Sequence, residues 1–399
     1  MDRAFIVVAF LLVTIGSPAP ATDYHVGPGQ PLATIGAVPW ATLAPGDTVS
    51  IHWRDTPYRE KWVINRRGTA AAWITVRGVP GPAGQRPVID GSGAVTAPGL
   101  DFWNDQRGLI KIGGSSIPAD GLPAYLVIEG LELRSARPPF QFTNDGGSTQ
   151  TYADNAAAIY VEKAEHLIIR DCVLHDSGNG LFVGAFDGQT RDLVIEHSHL
   201  FDNGIVGSVF EHNAYTEAID ITYRYNRFGA LRSGADGNNL KDRSAGLVVY
   251  GNWIEDGNRQ LDLVDGGSAV AADPSYGQTF VHSNVLIESD GEGNSQIVHY
   301  GGDGGDTGRY RKGTLYFYNN TVVSTRSGNT TLVSLSTQDE SAEVINNILY
   351  VTASGNRLAM VDSAGALRLR HNWTKAGWRS SHGSLTGSID DNGSGVEGT

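Results

Sequence analysis

With 399 residues and a formal net charge of −13, the chain lacks the net positive charge that phosphate binding relies on, which argues against nucleic acid as a partner. The same charge works against a polyanionic substrate unless the binding face is locally positive or carries metal ions. The 51 glycines, the β-branched and aromatic runs and the absence of any long amphipathic helical window exclude a helical bundle and point to an all-β chain.

In chain order, the first element is an apolar run, AFIVVAFLLVTIG, preceded by Arg3 and followed by SPAPA. It is shorter than the ~20 residues needed to cross a bilayer. Ala19 and Ala21 form an A-x-A pattern, so residues 1–21 read as a signal peptide and the mature chain as starting near Thr22. No second long apolar run follows. The expected product is secreted or periplasmic, with no membrane insertion. Residues 22–95 read as an N-terminal cap and first coils, with GDTVSIHWR, AAWITVRGV and PVIDGSG as short strands. Residues 96–125 read as an insertion opening the coil region 96–373. Residues 374–399, rich in Ser, Gly and Asp, read as a flexible tail or cap.

Between Leu126 and His371 a degenerate unit recurs: LIIRDCVLHDSG, LVIEHSHLFDNG, ITYRYNRFG, LVVYGNWIEDG, FVHSNVLIESDG, LYFYNNTVVS and AEVINNILYV. Aligning them stacks Cys172, Ser198, Asn226, Asn252, Asn284, Asn320 and Asn347 in one column, 26 to 36 residues apart. Self-similarity of this length, with a strand-rich coil per unit, is the signature of a solenoid. A column of side-chain amides at one corner specifies a single-domain right-handed parallel β-helix, because Asn tolerates left-handed turns and pairs with backbone. Cys172, the one cysteine, cannot form an internal disulfide and reads as a buried filler in that column. The excursions PPFQFTNDGGSTQTYADNAA, GGSAVAADPSYGQT and GGDGGDTGRYRKG leave the coils as long loops at one corner and wall a cleft.

A second strand in each coil reads NGLFVGA, EHNAYTEA, GNNLKDRSA, RQLDLVDGG, SQIVHYGG and TTLVSLST. With Leu181, Ala214, Leu240, Leu261, Ile297 and Leu332 inward, period-2 alternation turns three columns outward. Gly180, Asn213, Asn239, Gln260 and Gln296 form the first. Phe182, Tyr215, Lys241, Asp262 and Val298 form the second. Gly184, Glu217, Arg243, Val264 and Tyr300 form the third. The three middle coils thus gather a Lys, an Arg, two carboxylates, a Tyr and three amides on one patch. A solvated ion-pair ladder, Arg243 with Glu217 and Lys241 with Asp262, is the structural alternative. His212 and His299 read as satisfied inward or edge residues.

These residue types suit β-elimination on a glycan that contains uronic acid. That reaction needs the C5 carboxylate neutralised, a base for the C5 proton and an acid for the leaving oxygen. Lys241 is the candidate base, Arg243 its support and Tyr215 the candidate proton donor. Asn213, Asn239, Gln260, Gln296 and Tyr300 are the candidate substrate-binding residues. Glu217, Asp262 and Asn213 offer hard oxygen ligands of the kind Ca²⁺ takes.

The coils, and the stretch GNNLKDRSAGLVVYGNWIEDG in particular, resemble the right-handed parallel β-helix repeat proteins, and among them the polysaccharide lyases of the alginate and chondroitin lyase type. The resemblance covers about residues 40–370. It implies a Lys and Arg on neighbouring coil positions beside an Asn/Glu/Glu calcium site. Lys241 and Arg243 match the first part, and Asn213, Glu217 and Asp262 match the second loosely. Asp242 stands between the Lys and Arg where a small residue would be expected. Polygalacturonase-like glycosidases fit less well, since no Asp cluster or Arg-x-Lys motif lies on a coil strand. A glycoside hydrolase on the same fold and a non-catalytic glycan-binding adhesin remain the alternatives.

Overall fold

The computed structural model describes residues 21–399. The export signal falls on residues that lie almost wholly outside this range. Each coil contributes three short strands, for example Glu165–Arg170, Val173–His175 and Asn179–Val183, one to each of three faces. Stacked coils build sheets of 13, 11 and 13 strands, paired in parallel apart from a hairpin of Gln141–Thr143 with Thr149–Thr151. This is a right-handed parallel β-helix. Among the described residues, no helix is long and apolar enough to cross a membrane.

The amide column follows the expected register. Each backbone N–H in it donates to the side-chain oxygen of the next coil: Asn226 to Asn252, Asn252 to Asn284 and Asn284 to Asn320, at 2.9–3.0 Å. Each Nδ2 donates back to a carbonyl, as Asn284 does to Val249 at 3.0 Å. The ladder runs on through Asn347 to Asn372. The residue before each member has positive φ, from Asp171 (51°) to His371 (53°). The left-handed kink turns the chain from the first face to the second, and the buried amide supplies the partners that the turn's backbone lacks. Cys172 and Ser198 close the ladder's N-terminal end, where Ser198 Oγ accepts from the Cys172 N–H at 3.1 Å.

The 96–125 stretch differs from the expected insertion, and the C-terminal stretch takes the cap form of the two expected. Gly108–Ile112 pairs with Trp62–Ile64 and Ala157–Val161, so the 96–125 stretch contains a regular rung. Ser388–Asp391 and Val396–Gly398 add parallel strands to the first and second faces, so the C-terminal stretch continues the coil as a cap.

The core is the apolar inward column, including Leu181, Ala214, Leu240, Leu261 and Val298, all 0% exposed. One buried ion pair interrupts it. Asp242 and Arg311 are both fully buried and bonded at 2.9 Å. Arg311 ends the 301–313 excursion and reaches into the core, which accounts for an Asp between Lys241 and Arg243. Asp242 points inward to a dedicated partner, and its two neighbours face out.

Candidate active site

On the third face, strands Ala214–Thr216, Leu240–Asp242 and Leu261–Leu263 are three residues long. Their register pairs Tyr215 with Lys241 and Lys241 with Asp262. These three side chains therefore occupy one outward column, as the alternation predicts. The column continues through Phe182 on one side and His299 on the other. It forms the floor of a cleft of about 850 Å³. Val209, Phe210 and Glu211 wall one side, and Asp303 and Gly304 the other.

Lys241 is 8% exposed. Its Nζ donates to Asp262 Oδ2 at 2.5 Å and to Asp303 Oδ2 at 2.6 Å. Arg243 donates from Nε to the Tyr215 hydroxyl oxygen at 2.9 Å and from Nη2 to Asp303 Oδ1 at 2.8 Å. A further guanidinium N–H reaches the Asp265 carbonyl. One carboxylate, Asp303, thus bridges the Lys and the Arg. Of the two expected ion pairs, Lys241–Asp262 forms, whereas Arg243 takes Asp303 in place of Glu217. Because Tyr215 accepts from Arg243, its own O–H is free to donate into the cleft.

Asp262 also accepts from Asn238 Nδ2 at 3.0 Å and faces His299 Nδ1 at 2.8 Å. Burial opposes its ionisation, but the His299 hydrogen bond and the Lys241 charge outweigh burial and hold the carboxyl well below the usual range. Asp303 is held low in the same way, burial being outweighed by Lys241 and Arg243. His212 lines the cleft, and its Nδ1 accepts the Asn238 backbone N–H at 2.9 Å. Burial, reinforced by Lys241, lowers it to about 3, so the imidazole is neutral and carries its proton on Nε2. Glu211 is 4% exposed, its Oε2 has no hydrogen-bond partner, and burial raises its carboxyl.

Several expected site residues lie elsewhere. Asn213, Asn239 and Gln260 do not face the cleft. They are buried in the turn before the strand, where Asn213 and Asn239 join in a second amide ladder and Gln260 bonds separately. Asn213 Nδ2 donates to Asn239 Oδ1 at 2.6 Å, Asn239 Nδ2 to the Glu255 and Asp256 carbonyls at 2.7 Å, and Gln260 Nε2 to Glu288 at 2.6 Å. Tyr300 is 0% exposed and points into the core. His299, expected inward, faces outward into the cleft. The cause is a one-residue slip: Leu261 pairs with Val298 rather than Ile297, which flips every later side chain. Gln296 is half-buried and accepts from Arg259 at 2.9 Å, so it supports a cleft residue instead of lining the cleft.

The calcium set does not assemble. The Asn213 side chain is committed to its ladder, Asp262 to Lys241, Asn238 and His299, and Glu217 Oε1 to the Gly267 N–H at 2.5 Å. Burial raises the Glu217 carboxyl and outweighs the Gly267 N–H and the Arg243 and Arg311 charges that oppose it. Among the described residues no group of three or more His, Cys, Asp or Glu is placed to hold a metal ion. Asn213, Glu217 and Asp262 do not converge on one cation position.

Four cationic side chains face this cleft, Arg107, Lys241, Arg243 and Arg259, against the carboxylates Glu211, Asp262 and Asp303. The local balance is positive on a chain of net charge −13. Asp303, Glu211, Asn238, Arg259 and Arg107 escaped the sequence reading because they lie on loops, or for Arg107 on a 3₁₀ turn, outside the strand alternation.

No family model matches the chain, and no curated protein matches it. Solved structures do. The alginate lyase from Paenibacillus sp. str. FPU-7 superposes with a TM-score of 0.56 at 14% identity, over 90% of this chain and 99% of that one. The likeness is one of fold: a parallel β-helix. The GH136 lacto-N-biosidase from Eubacterium ramulus follows at a TM-score of 0.48 and 13% identity, over 92% of this chain and 68% of that one. Pectate lyase Pel9A gives 0.40 and 12%, over 93% and 79%.

Proposed function

We propose that the protein is an exported enzyme that cleaves a uronic-acid-containing polysaccharide by β-elimination. The observation that carries this reading is the convergence of Tyr215, Lys241 and Arg243 on one locally positive cleft floor. A polyanion enters such a cleft despite the acidic surface around it, because low-dielectric walls focus the local field.

The roles follow from the contacts. Arg243 neutralises the sugar carboxylate, which acidifies C5. Lys241, as the free amine, takes the C5 proton. The electrons of the C5–H bond form the C4–C5 double bond, and those of the C4–O bond leave with the glycosidic oxygen. That oxygen takes the Tyr215 hydroxyl proton, and Arg243 stabilises the phenolate left behind. Water then returns a proton from the Lys241 ammonium to Tyr215. In the resting state Lys241 donates to two carboxylates. It becomes a base only after passing one proton to solvent.

A second reading, a glycoside hydrolase on the same fold, is favoured by Glu211, a cleft-lining residue whose buried carboxyl has raised affinity for its proton. The two readings separate on their products. Incubation with alginate, polygalacturonate and chondroitin yields 4,5-unsaturated, ultraviolet-absorbing ends from a lyase. A hydrolase yields new reducing ends without that absorbance. Retention of glycan with neither product leaves the binding-module alternative.

A further inference from the structure

Asp303 makes a contact that the elimination scheme does not use. Its two carboxylate oxygens are divided between two cations, Oδ2 on Lys241 Nζ at 2.6 Å and Oδ1 on Arg243 Nη2 at 2.8 Å. A carboxylate bound to Arg243 where Asp303 now sits would be the place for a uronate carboxylate, with the Lys241 amine beside it. C5 of such a sugar is bonded directly to the carboxyl carbon, so a carboxylate in this position brings the C5 proton beside Lys241.

The segment that carries Asp303 is an exposed, glycine-rich loop. Residues 301–308 read GGDGGDTG, and Gly301 and Gly305 have φ of 136° and 80°. Residues 303–308 are exposed. Both ends are pinned: the Gly302 N–H donates to Ser336 Oγ at 2.9 Å, and Arg311 is anchored in the core. Between these anchors the loop is held by Asp265, whose Oδ1 accepts the N–H groups of Asp303 at 2.7 Å and Gly304 at 3.0 Å. The Asp303 side chain is itself 36% exposed, so water reaches the contact and weakens it.

We propose that Asp303 is an internal stand-in for the substrate carboxylate. It fills the Lys241–Arg243 carboxylate subsite at rest and leaves when a uronate enters. The inference rests on the lyase reading and deepens it by naming the subsite and the feature it recognises, a sugar carboxylate. Two consequences follow. The apparent affinity for an anionic sugar is reduced by the fraction of molecules in which Asp303 occupies the subsite. A neutral sugar has no group able to displace Asp303, so the loop also acts as a charge filter against neutral glycans.

The test is Asp303→Asn, with Asp303→Glu as the charge-retaining control. Binding of D-glucuronate and of D-glucose is measured by calorimetry, and KM on the cleaved uronate polymer is measured in parallel. Asp303→Asn is expected to tighten glucuronate binding and lower KM by about tenfold, while glucose binding stays unchanged. Asp303→Glu is expected to gain little. Unchanged or weaker glucuronate binding in Asp303→Asn overturns the proposal, as does a rise in KM, which would make Asp303 a substrate ligand. If neither protein cleaves a uronate polymer, the lyase reading falls by itself. Tighter glucuronate binding to Asp303→Asn would then still uphold the subsite, and no change in binding would overturn it.

Discussion

Arg311→Met should destabilise the protein substantially although the residue lies outside the cleft. Arg311 donates from Nε to the Val264 carbonyl at 2.8 Å, from Nη1 to Thr279 Oγ1 at 3.2 Å and from Nη2 to the Asp242 carbonyl and Oδ1 at 3.0 and 2.9 Å. Both partners of the ion pair are fully buried. Removing one side of a buried pair costs about 3–5 kcal/mol, because a charge is left without compensation. Here Asp242 keeps three donors, Thr216 Oγ1 at 2.7 Å and the Ser244 hydroxyl and N–H at 2.8 Å. The cost should therefore fall at the lower end, about 3 kcal/mol. Asp242→Asn should cost a similar amount by stranding Arg311. The double variant strands no charge, so it should be more stable than the sum of the singles by about 2 kcal/mol. Urea unfolding of the four proteins, followed by the same probe, measures this cycle. A cost below about 1 kcal/mol for Arg311→Met, or strict additivity, would refute the account of Asp242 as a core residue that depends on its ion pair.

Four further outcomes are expected. Tyr215→Phe removes the proton donor and should lower kcat by about 10²–10⁴-fold with a small change in unfolding midpoint, read by steady-state kinetics and denaturation. Asn284→Ala deletes the acceptor for Asn252 and the donor to Val249 in a buried ladder, and should cost about 3–5 kcal/mol in urea unfolding without altering the cleft. For pH, His212 in the folded state is lowered from 6.5 to about 3, so the unfolded chain binds its proton first as pH falls. Its contribution to stability is present above about 6.5 and is lost as pH falls from there toward about 3, and His212→Asn should flatten that part of the curve of stability against pH. EDTA should leave turnover unchanged, since Asn213, Glu217 and Asp262 serve three separate sets of contacts. Chelator-sensitive activity restored by Ca²⁺ would contradict that reading.

The amide column was legible because its chemistry needs one residue type at one turn of every coil. A backbone N–H that donates to the next coil's Oδ1 leaves little choice but Asn, so the spacing alone gave the coil register. The outward column of Tyr215, Lys241 and Asp262 was legible because the apolar residue before each, Ala214, Leu240 and Leu261, fixes the alternation. It failed at Gln296–Tyr300, where Ile297 and Val298 are both apolar and both buried. Two adjacent apolar residues give two possible inward registers, and the wrong one sent His299 into the core and Tyr300 into solvent. Asn213, Asn239 and Gln260 were misplaced for another reason. The strands begin one residue later, and period-2 alternation does not extend into a turn. Asp303, Asp265 and Glu211 left no periodic signal, since loops carry none. The glycine-rich run around Asp303 marked only that a loop was there.

The measurement that tests the central claim most directly is ultraviolet absorbance of the reaction on a uronate polymer, for the wild type and for Lys241→Gln. Lys241 is buried between two carboxylates, so glutamine, which can still donate to them, is preferable to alanine, which would leave Asp262 without its charged partner. The account predicts that the wild type accumulates the 4,5-unsaturated product. It predicts that Lys241→Gln loses turnover by at least about 10²-fold while its fold and its binding of the polymer persist. Wild-type turnover in Lys241→Gln, or new reducing ends with no absorbance from the wild type, would contradict it.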